Sequence, residues 1–193
     1  MKKEYLFTSK RLGFRNWTTE DLPEFAEMNA DDHVMEHFPK PLTPKETAEF
    51  VERLQGHYQK KGYSYFAVEI LETGEFIGFI GLAFQEYTTA FTPAVDIGWR
   101  LKQSAWGKGY ATEGAQQCLD HAFNTLTLDK VIATCTLQNV KSEQVMRNIG
   151  MQRLGEFEHP KLADYPAYQR CVCYGVTKDT WGQLSSEDRY GPM

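Results

Sequence analysis

The chain has 193 residues, 41% hydrophobic, 24% charged and 13% aromatic, and its 26 acidic against 21 basic side chains give a net charge of −5. That aromatic content excludes a disordered chain, and the longest unbroken apolar stretch, Phe76 to Phe84, has nine residues where a bilayer core needs roughly 20. The acidic balance argues against nucleic acid, which requires a basic face to exchange for counterions, and suits a neutral or cationic partner better.

Met1-Lys2-Lys3 leads into Glu4-Tyr5-Leu6-Phe7-Thr8-Ser9-Lys10 without the apolar segment of a secretory signal, so a cytoplasmic protein is expected. Cys118, Cys135, Cys171 and Cys173 fit that expectation, because they lie in apolar, periodic segments where a reduced thiol packs as a small hydrophobe. No repeat or linker divides the chain. Residues 1–182 therefore read as one domain and 183–193 as a flexible tail.

Leu12 to Arg15 reads as a short strand, and Thr18-Thr19-Glu20-Asp21 offers capping residues for a helix through Leu22, Phe25, Ala26 and Met28. Thr43 with Glu46 forms a capping box, and Pro44 at the first helical position starts a second helix that runs through Phe50, Val51 and Leu54 towards Gly62. The period then becomes two. Phe66, Val68 and Ile70 alternate, Glu72 to Glu75 makes a hairpin turn, and Phe76 to Phe84 answers as a strand buried on both faces.

Val95, Ile97, Trp99 and Leu101 form one face of a further strand, and Asp96, Gly98 and Arg100 form the other. Past Gly107 and Gly109, a helix lays a stripe of Ala111, Ala115, Cys118, Leu119 and Ala122 on the sheet. Val131 to Leu137 is a strand, Val140 to Ile149 a helix capped by Gly150, and Gln169 to Val176 a last strand. The pattern predicts a mixed α/β or α+β fold with one central sheet.

Trp99 to Thr112 runs from strand through a glycine loop into a helix. Gly107 and Gly109 let the backbone approach a ligand, and the N–H groups of the first helical turn suit a phosphate. Lys102 and Lys108 add positive charge beside it. A tight turn needing two glycines for shape alone satisfies the same pattern. No stretch satisfies the P-loop, and the dinucleotide fingerprint fails at Thr112.

Three segments taken together resemble the successive motifs of the GNAT superfamily of acyl-CoA N-acyltransferases, in particular its Rim-type ribosomal-protein N-terminal acetyltransferases. They are Asp96 to Leu101, Trp106 to Glu113, and Asn139-x-x-Ser142-x-x-x-Met146-x-x-x-Gly150-Met151, preceded by Leu12-x-x-Arg15-x-Trp17-x-x-x-Asp21-Leu22 and Phe38-Pro39. The resemblance covers about residues 8 to 178. Ser104 departs from the glutamine or arginine usual at the start of the glycine loop.

The resemblance implies a mostly antiparallel sheet flanked by helices and split between two central strands, with acetyl-CoA in the split and no metal. Pyrophosphate would lie on Gly107, Lys108, Gly109, Tyr110, Ala111 and Thr112, and pantetheine would pair with backbone at Trp99 and Leu101, Gly98 serving as a bulge that helps the strands part. Asn139 and Ser142 would complete the cofactor contacts. The position from which many relatives protonate the sulfur with tyrosine is Met146, which has no proton to give, so Ser142 takes the role of thiolate hydrogen-bond donor. Asp96 is the expected general base, acting through water, with Glu69 and Glu86 as weaker alternatives. Asn139 as a helix cap with Ser142 as first-turn filler, and Asp96 as an exposed strand carboxylate, satisfy the same local patterns.

Trp17, His37, Phe38, Tyr87 and Phe91 are expected in the acceptor wall. His33 and His37 stand at i, i+4 spacing without a third ligand, and the paired thiols of Cys171 and Cys173 share a strand face suited to core packing. The expected activity is acetyl transfer to a primary amine by direct attack in a ternary complex. A poorly defined base favours an α-amine, whose pKa lies near 7.7–8.0, over a lysine near 10.4. A small-molecule amine such as an antibiotic or polyamine, or a non-catalytic acyl-CoA-binding module, are the other readings, and a homodimer is compatible with all of them.

Overall fold

Period-two segments build an eight-stranded sheet in the computed structural model, which describes residues 4–184. β1 (Phe7–Thr8), β2 (Leu12–Arg15), β3 (Tyr65–Ile70), β4 (Phe76–Gln85), β5 (Ala94–Leu101), β6 (Lys130–Thr136), β7 (Gln152–Glu158) and β8 (Arg170–Thr177) stand in the order β1-β2-β3-β4-β5-β6-β8-β7. Every neighbouring pair is antiparallel except β5 and β6, which run parallel and meet at a single bridge, Asp96 to Ile132. That one contact makes the split between central strands that the sequence predicts.

Helices cover both faces. On one, α3 (Tyr110–Asp120) lays Ala115, Cys118 and Leu119 on Leu12, Phe14, Phe66, Ile80 and Ile97, with Met146 of α4 (Val140–Asn148) and Trp181 of α6 (Lys178–Gln183) in the same core. α3 lies so close that a Cβ on Gly114 would meet Ile80 Cδ1 at 2.3 Å. On the other face, Phe25 and Met28 of α1 (Leu22–Ala30) and Val51 and Leu54 of α2 (Pro44–Lys61) pack on Ala67, Phe76 and Phe79. Each fully buried side chain of this size contributes roughly 1.5–3 kcal/mol.

The second helix starts and stops where its chemistry dictates. Thr43 Oγ1 accepts from the Glu46 N–H, Glu46 accepts in return from the Thr43 N–H, Pro44 opens the first turn, and Gly62 closes the helix in the left-handed region at φ 78°.

Three features differ from the sequence-based expectation. Gly98 is not a bulge: β4 and β5 stay in unbroken register from Gly78–Leu101 to Gln85–Ala94. β7, between Gly150 and the last strand, goes unpredicted because Gln152-Arg153-Leu154-Gly155-Glu156-Phe157-Glu158 is a largely exposed edge without an apolar stripe. The short helices α5 (Pro166–Gln169) and α6 also escape prediction. Most of the expected tail, 185–193, lies outside the described residues.

Candidate active site

The backbone of β5 divides its hydrogen bonds between two sides. Lys102 N–H donates to the Ile77 carbonyl at 2.9 Å, and that register turns the backbone of Arg100, Gly98 and Asp96 towards β4 and that of Trp99 and Leu101 towards the split. The Leu101 carbonyl accepts the Trp106 indole N–H at 2.8 Å, which folds the glycine loop back onto the strand end. Gly107 and Gly109 take φ of 72° and 78°, conformations that strain any side chain, and space around Gly107 is open.

Gly109 is the N-cap of α3 and has no side chain to give. The first intrahelical bond runs from the Glu113 N–H to the Gly109 carbonyl, so the amides of Tyr110, Ala111 and Thr112 are left pointing out of the helix start. With the positive end of the dipole they form an anion cradle. Among the described residues two buried side-chain atoms lack a hydrogen-bond partner, Thr136 Oγ1 and Arg100 Nε. Thr136 belongs to β6, which flanks the split, whereas the Arg100 guanidinium lies on the acceptor face over the rings of Phe38, Phe50 and Phe79.

Of the two lysines expected beside this cradle, Lys108 stays in the glycine loop and Lys102 is elsewhere. Lys102 lies over the Phe76 ring on the opposite face and is ion-paired with Glu24. Arg11 and Lys141 stand in the place of Lys102: Arg11 donates to the Lys108 carbonyl at 3.0 Å, stacks on Tyr110 and pairs with Glu113, and Lys141 Nζ lies 4.7 Å from the centre of the Trp106 ring. Neither stands inside a motif, so only the assembled fold identifies them.

Across the split, Asn139 caps α4 by accepting the Ser142 N–H at 3.0 Å. The Cys135 thiol of β6 donates to the Asn139 carbonyl at 3.7 Å; burial pushes it up to about 12, and the neighbouring Ser142 side chain pulls it the other way. Ser142 therefore combines the capping geometry of a first-turn residue with a hydroxyl facing a sulfur. Met146 is core, 1% exposed. All four cysteines are free thiols.

Asp96 is the centre of the other face. Burial pushes its carboxyl up to about 6, against the opposing pull of hydrogen bonds from Tyr65, Gln85 and the Ala83 backbone and of the Lys161 charge. Tyr65 Oη donates to Asp96 Oδ1 at 2.7 Å. The tyrosine reaches it from β3, across β4, because Tyr65, Gly81 and Gly98 share one row of the sheet. Gly98 is needed for that passage: a Cβ there would meet the Tyr65 ring at 3.0 Å. Phe79 stacks on the ring, and the Tyr65 carbonyl accepts the Trp17 indole N–H at 2.7 Å.

The other expected residues fall in different places. Tyr87 lies near Asp96: it is half-buried, feels Asp96, Cys171 and Cys173, has Thr134 as a side-chain partner and packs at a tilt on His159 at 4.5 Å. Phe38 also faces inward, with the Arg100 guanidinium 4.1 Å above its ring. Burial pushes Arg100 down to about 10, and its partner is the Asn29 side-chain carbonyl at 2.7 Å. His37 is a loop residue 3.9 Å from Glu36. Trp17, by contrast, is core, 5% exposed and packed on Phe25, and supports the site only from behind through Tyr65. Phe91 packs on Phe157 and over Gly155.

Glu69 is no alternative base, because it is wholly buried and ion-paired with Arg15 at 2.5 Å. Glu86 is exposed at the rim. Among the described residues no cluster of His, Cys, Asp and Glu is arranged to hold a metal ion, and no helix is long and apolar enough to cross a membrane. The unexpected member of the site is Tyr65; its placement on the face opposite Phe66 and Val68 was readable, its reach to Asp96 was not.

Residues 11–152 match the family model described as acetyltransferase (GNAT) domain. The chain is 34% identical over 152 residues to the uncharacterized N-acetyltransferase YnaD of Bacillus subtilis (strain 168), which covers 78% of this chain and 85% of that protein. Among solved structures, a ribosomal L7/L12 alpha-N-protein acetyltransferase, RimL, in complex with coenzyme A superposes with a TM-score of 0.73 at 19% identity, over 92% of this chain and 99% of that one. A chimera of Vibrio cholerae spermidine N-acetyltransferase superposes with a TM-score of 0.71 at 19% identity, over 91% and 100%. The chain belongs to the GNAT acetyltransferases, acyl-CoA-dependent enzymes that acetylate amines.

Proposed function

We propose that this enzyme transfers acetyl from acetyl-CoA to the α-amine of a peptide or protein N-terminus, with both substrates bound at once. The thioester supplies an activated acetyl group. The α3 amides and Lys108 hold its phosphates, the split edge of β5 at Trp99 and Leu101 aligns the chain that carries it, and a backbone N–H of that edge polarises the carbonyl. Ser142 donates a hydrogen bond to the departing sulfur. Asp96, fixed by Tyr65, takes the proton of the amine through water.

The observation that carries the α-amine assignment is the Asp96 carboxyl at about 6. An α-ammonium lies roughly two pH units above it and a lysine ammonium more than four, so only the first gives up its proton to this base at modest cost. The two structural neighbours differ in acceptor, a protein α-amine for one and spermidine for the other, so fold alone does not decide.

The test is acetyl-CoA turnover, read as thiol release, on a peptide with a free N-terminus, the same peptide N-terminally blocked but with an internal lysine, and spermidine. The free N-terminus is expected to react at least tenfold faster than either. Equal rates on the blocked peptide, or reaction with spermidine alone, would overturn the assignment. Ser142→Ala is expected to lower kcat by about 10²-fold, the low end for a lost proton donor, at unchanged coenzyme A affinity.

A further inference from the structure

The acceptor side opens onto a groove whose charge is opposite to that of the chain as a whole. One face of α2 presents Arg53, Gly56, His57, Lys60 and Lys61, at i, i+3, i+4, i+7 and i+8. Facing it are Phe84, Gln85 and Glu86 from the end of β4 and Lys161 from the turn after β7, and together they enclose about 370 Å³. His57 spends both ring nitrogens on the backbone, Nδ1 donating to the Tyr63 carbonyl at 2.8 Å and Nε2 accepting the Phe84 N–H at 3.1 Å. The groove's charge is thus carried by Arg53, Lys60, Lys61 and Lys161 against Glu86 alone.

None of these four cations forms an ion pair among the described residues; three lie over rings, Arg53 over Phe50, Lys61 over Phe84 and Lys161 over Tyr87. The helix dipole accounts for basic residues in the last turn of α2. It does not account for Lys161, which comes from the opposite wall. In a chain of net charge −5, four uncompensated cations around one recess mark a place for an anionic partner.

The groove also leads to the reacting centre. Gln85 lines it and hydrogen-bonds both the Tyr65 hydroxyl and the Asp96 carboxyl, and Lys161 is the cation that acts on Asp96. The pyrophosphate cradle lies on the other face of the sheet, so this groove is not part of the coenzyme site.

We infer that the groove binds acidic side chains just behind the reacting amine, so that the acceptor is a peptide N-terminus followed by aspartate or glutamate. This rests on the α-amine reading above. From Arg53 to Lys61 the helix rises about 12 Å, the length of roughly four extended residues. The carboxylates therefore belong within about the first six residues of the acceptor. A polyanion such as RNA would need a longer basic track than four side chains provide.

The experiment compares three peptides that share one N-terminal residue and carry Asp/Glu, Asn/Gln or Lys at about the third to sixth positions, with saturating acetyl-CoA and the full chain. The acidic peptide is expected to show about tenfold higher kcat/KM than the amide peptide, through KM, with the Lys peptide lowest and the preference fading as salt rises past ~0.1 M. The exposed triple variant R53Q/K60Q/K61Q, which leaves Lys161 beside Asp96 in place, is expected to lose most of the preference while keeping the amide-peptide rate and coenzyme A affinity. Equal kcat/KM for acidic and amide peptides, a preference insensitive to salt, or a variant that keeps it would overturn the inference and leave the α-amine reading intact. Single-stranded RNA competing at lower concentration than the acidic peptide would overturn it too. Acetylation confined to polyamines or lysine side chains would overturn both.

Discussion

Asp96 and Tyr65 make the sharpest claim about chemistry, because both lie deep in the protein and burial brings the carboxyl up to about 6 while it holds the tyrosine well above its ordinary value, so that the hydroxyl stays a donor. Asp96 is a base only when ionised, so log kcat/KM for a peptide acceptor is expected to carry an acid limb near pH 6, its pKa being about 6. Tyr65 stabilises the carboxylate form. Tyr65→Phe removes that hydrogen bond, so the limb should move to higher pH, whereas Asp96→Asn should abolish it. A purely structural Tyr65 would lower the whole profile without displacing the limb.

The same group bears on stability with a definite sign. Its folded pKa exceeds the ordinary value of 3.8, so the folded chain holds the proton more tightly, and stability is lost as pH rises from about 4 through 6. Asp96→Asn is therefore expected to raise the melting temperature at pH 8 and leave it nearly unchanged at pH 4. Alternation along β5 already puts Asp96 on the face away from Ile97 and Trp99. What alternation cannot give is a partner two strands away, and the ionised aspartate is costly to bury without one.

At the scale of elements, a buried ion triad ties the start of α1 to β2 and β3. Arg15 of β2 donates to both oxygens of Asp21 at 2.7 and 2.6 Å and to Glu69 of β3 at 2.8 and 2.5 Å, and Tyr5 adds a hydrogen bond to Glu69 at 3.0 Å. The three residues are 8%, 5% and 0% exposed. Burial alone would raise Asp21, yet Arg15 and the Thr18 N–H hold it below the usual carboxylate range. Its share of the stability is thus present at neutral pH and lost in acid.

Glu69→Gln leaves a buried guanidinium with one carboxylate where it had two, and is expected to cost about 1.5–3 kcal/mol, the range for a lost charged hydrogen bond, read as a fall in the urea midpoint at unchanged slope. A loss below about 1 kcal/mol would mean that Arg15 reaches solvent. The Arg15 and Asp21 half of this triad stands in one short sequence motif, and so was visible. Glu69 lies 54 residues further on and reads there as one more carboxylate on a strand, which is why it resembles a base until the fold brings it to Arg15.

At the scale of the molecule, the split is a weakness built into the middle of the sheet. Helices and inner strands carry their own period, caps and turns, and the glycine loop carries its own positive φ, so the architecture and the shape of that loop were legible. Edge strand β7, the displaced role of Lys102, and the basic groove all depend on which elements meet, and no local pattern encodes that. β5 and β6 share one bridge, at Asp96 and Ile132, and the two halves of the sheet are otherwise joined by side chains, chiefly in the α3-side core, to which Ala133, Met146, Val172 and Trp181 contribute from one side and Ile80, Ile97 and Leu101 from the other. A coenzyme A chain pairing with Trp99 and Leu101 would act as the missing strand. Coenzyme A at a hundred times its Kd then adds about 2.7 kcal/mol, which for a chain of this length raises the melting temperature by roughly 5–10 °C. Amide exchange should slow most at Trp99, Leu101 and the first turn of α3, and little in β2 or β3. A uniform slowing across the sheet would mean that the ligand stabilises the fold without entering the split, and the pairing on β5 would have to be abandoned.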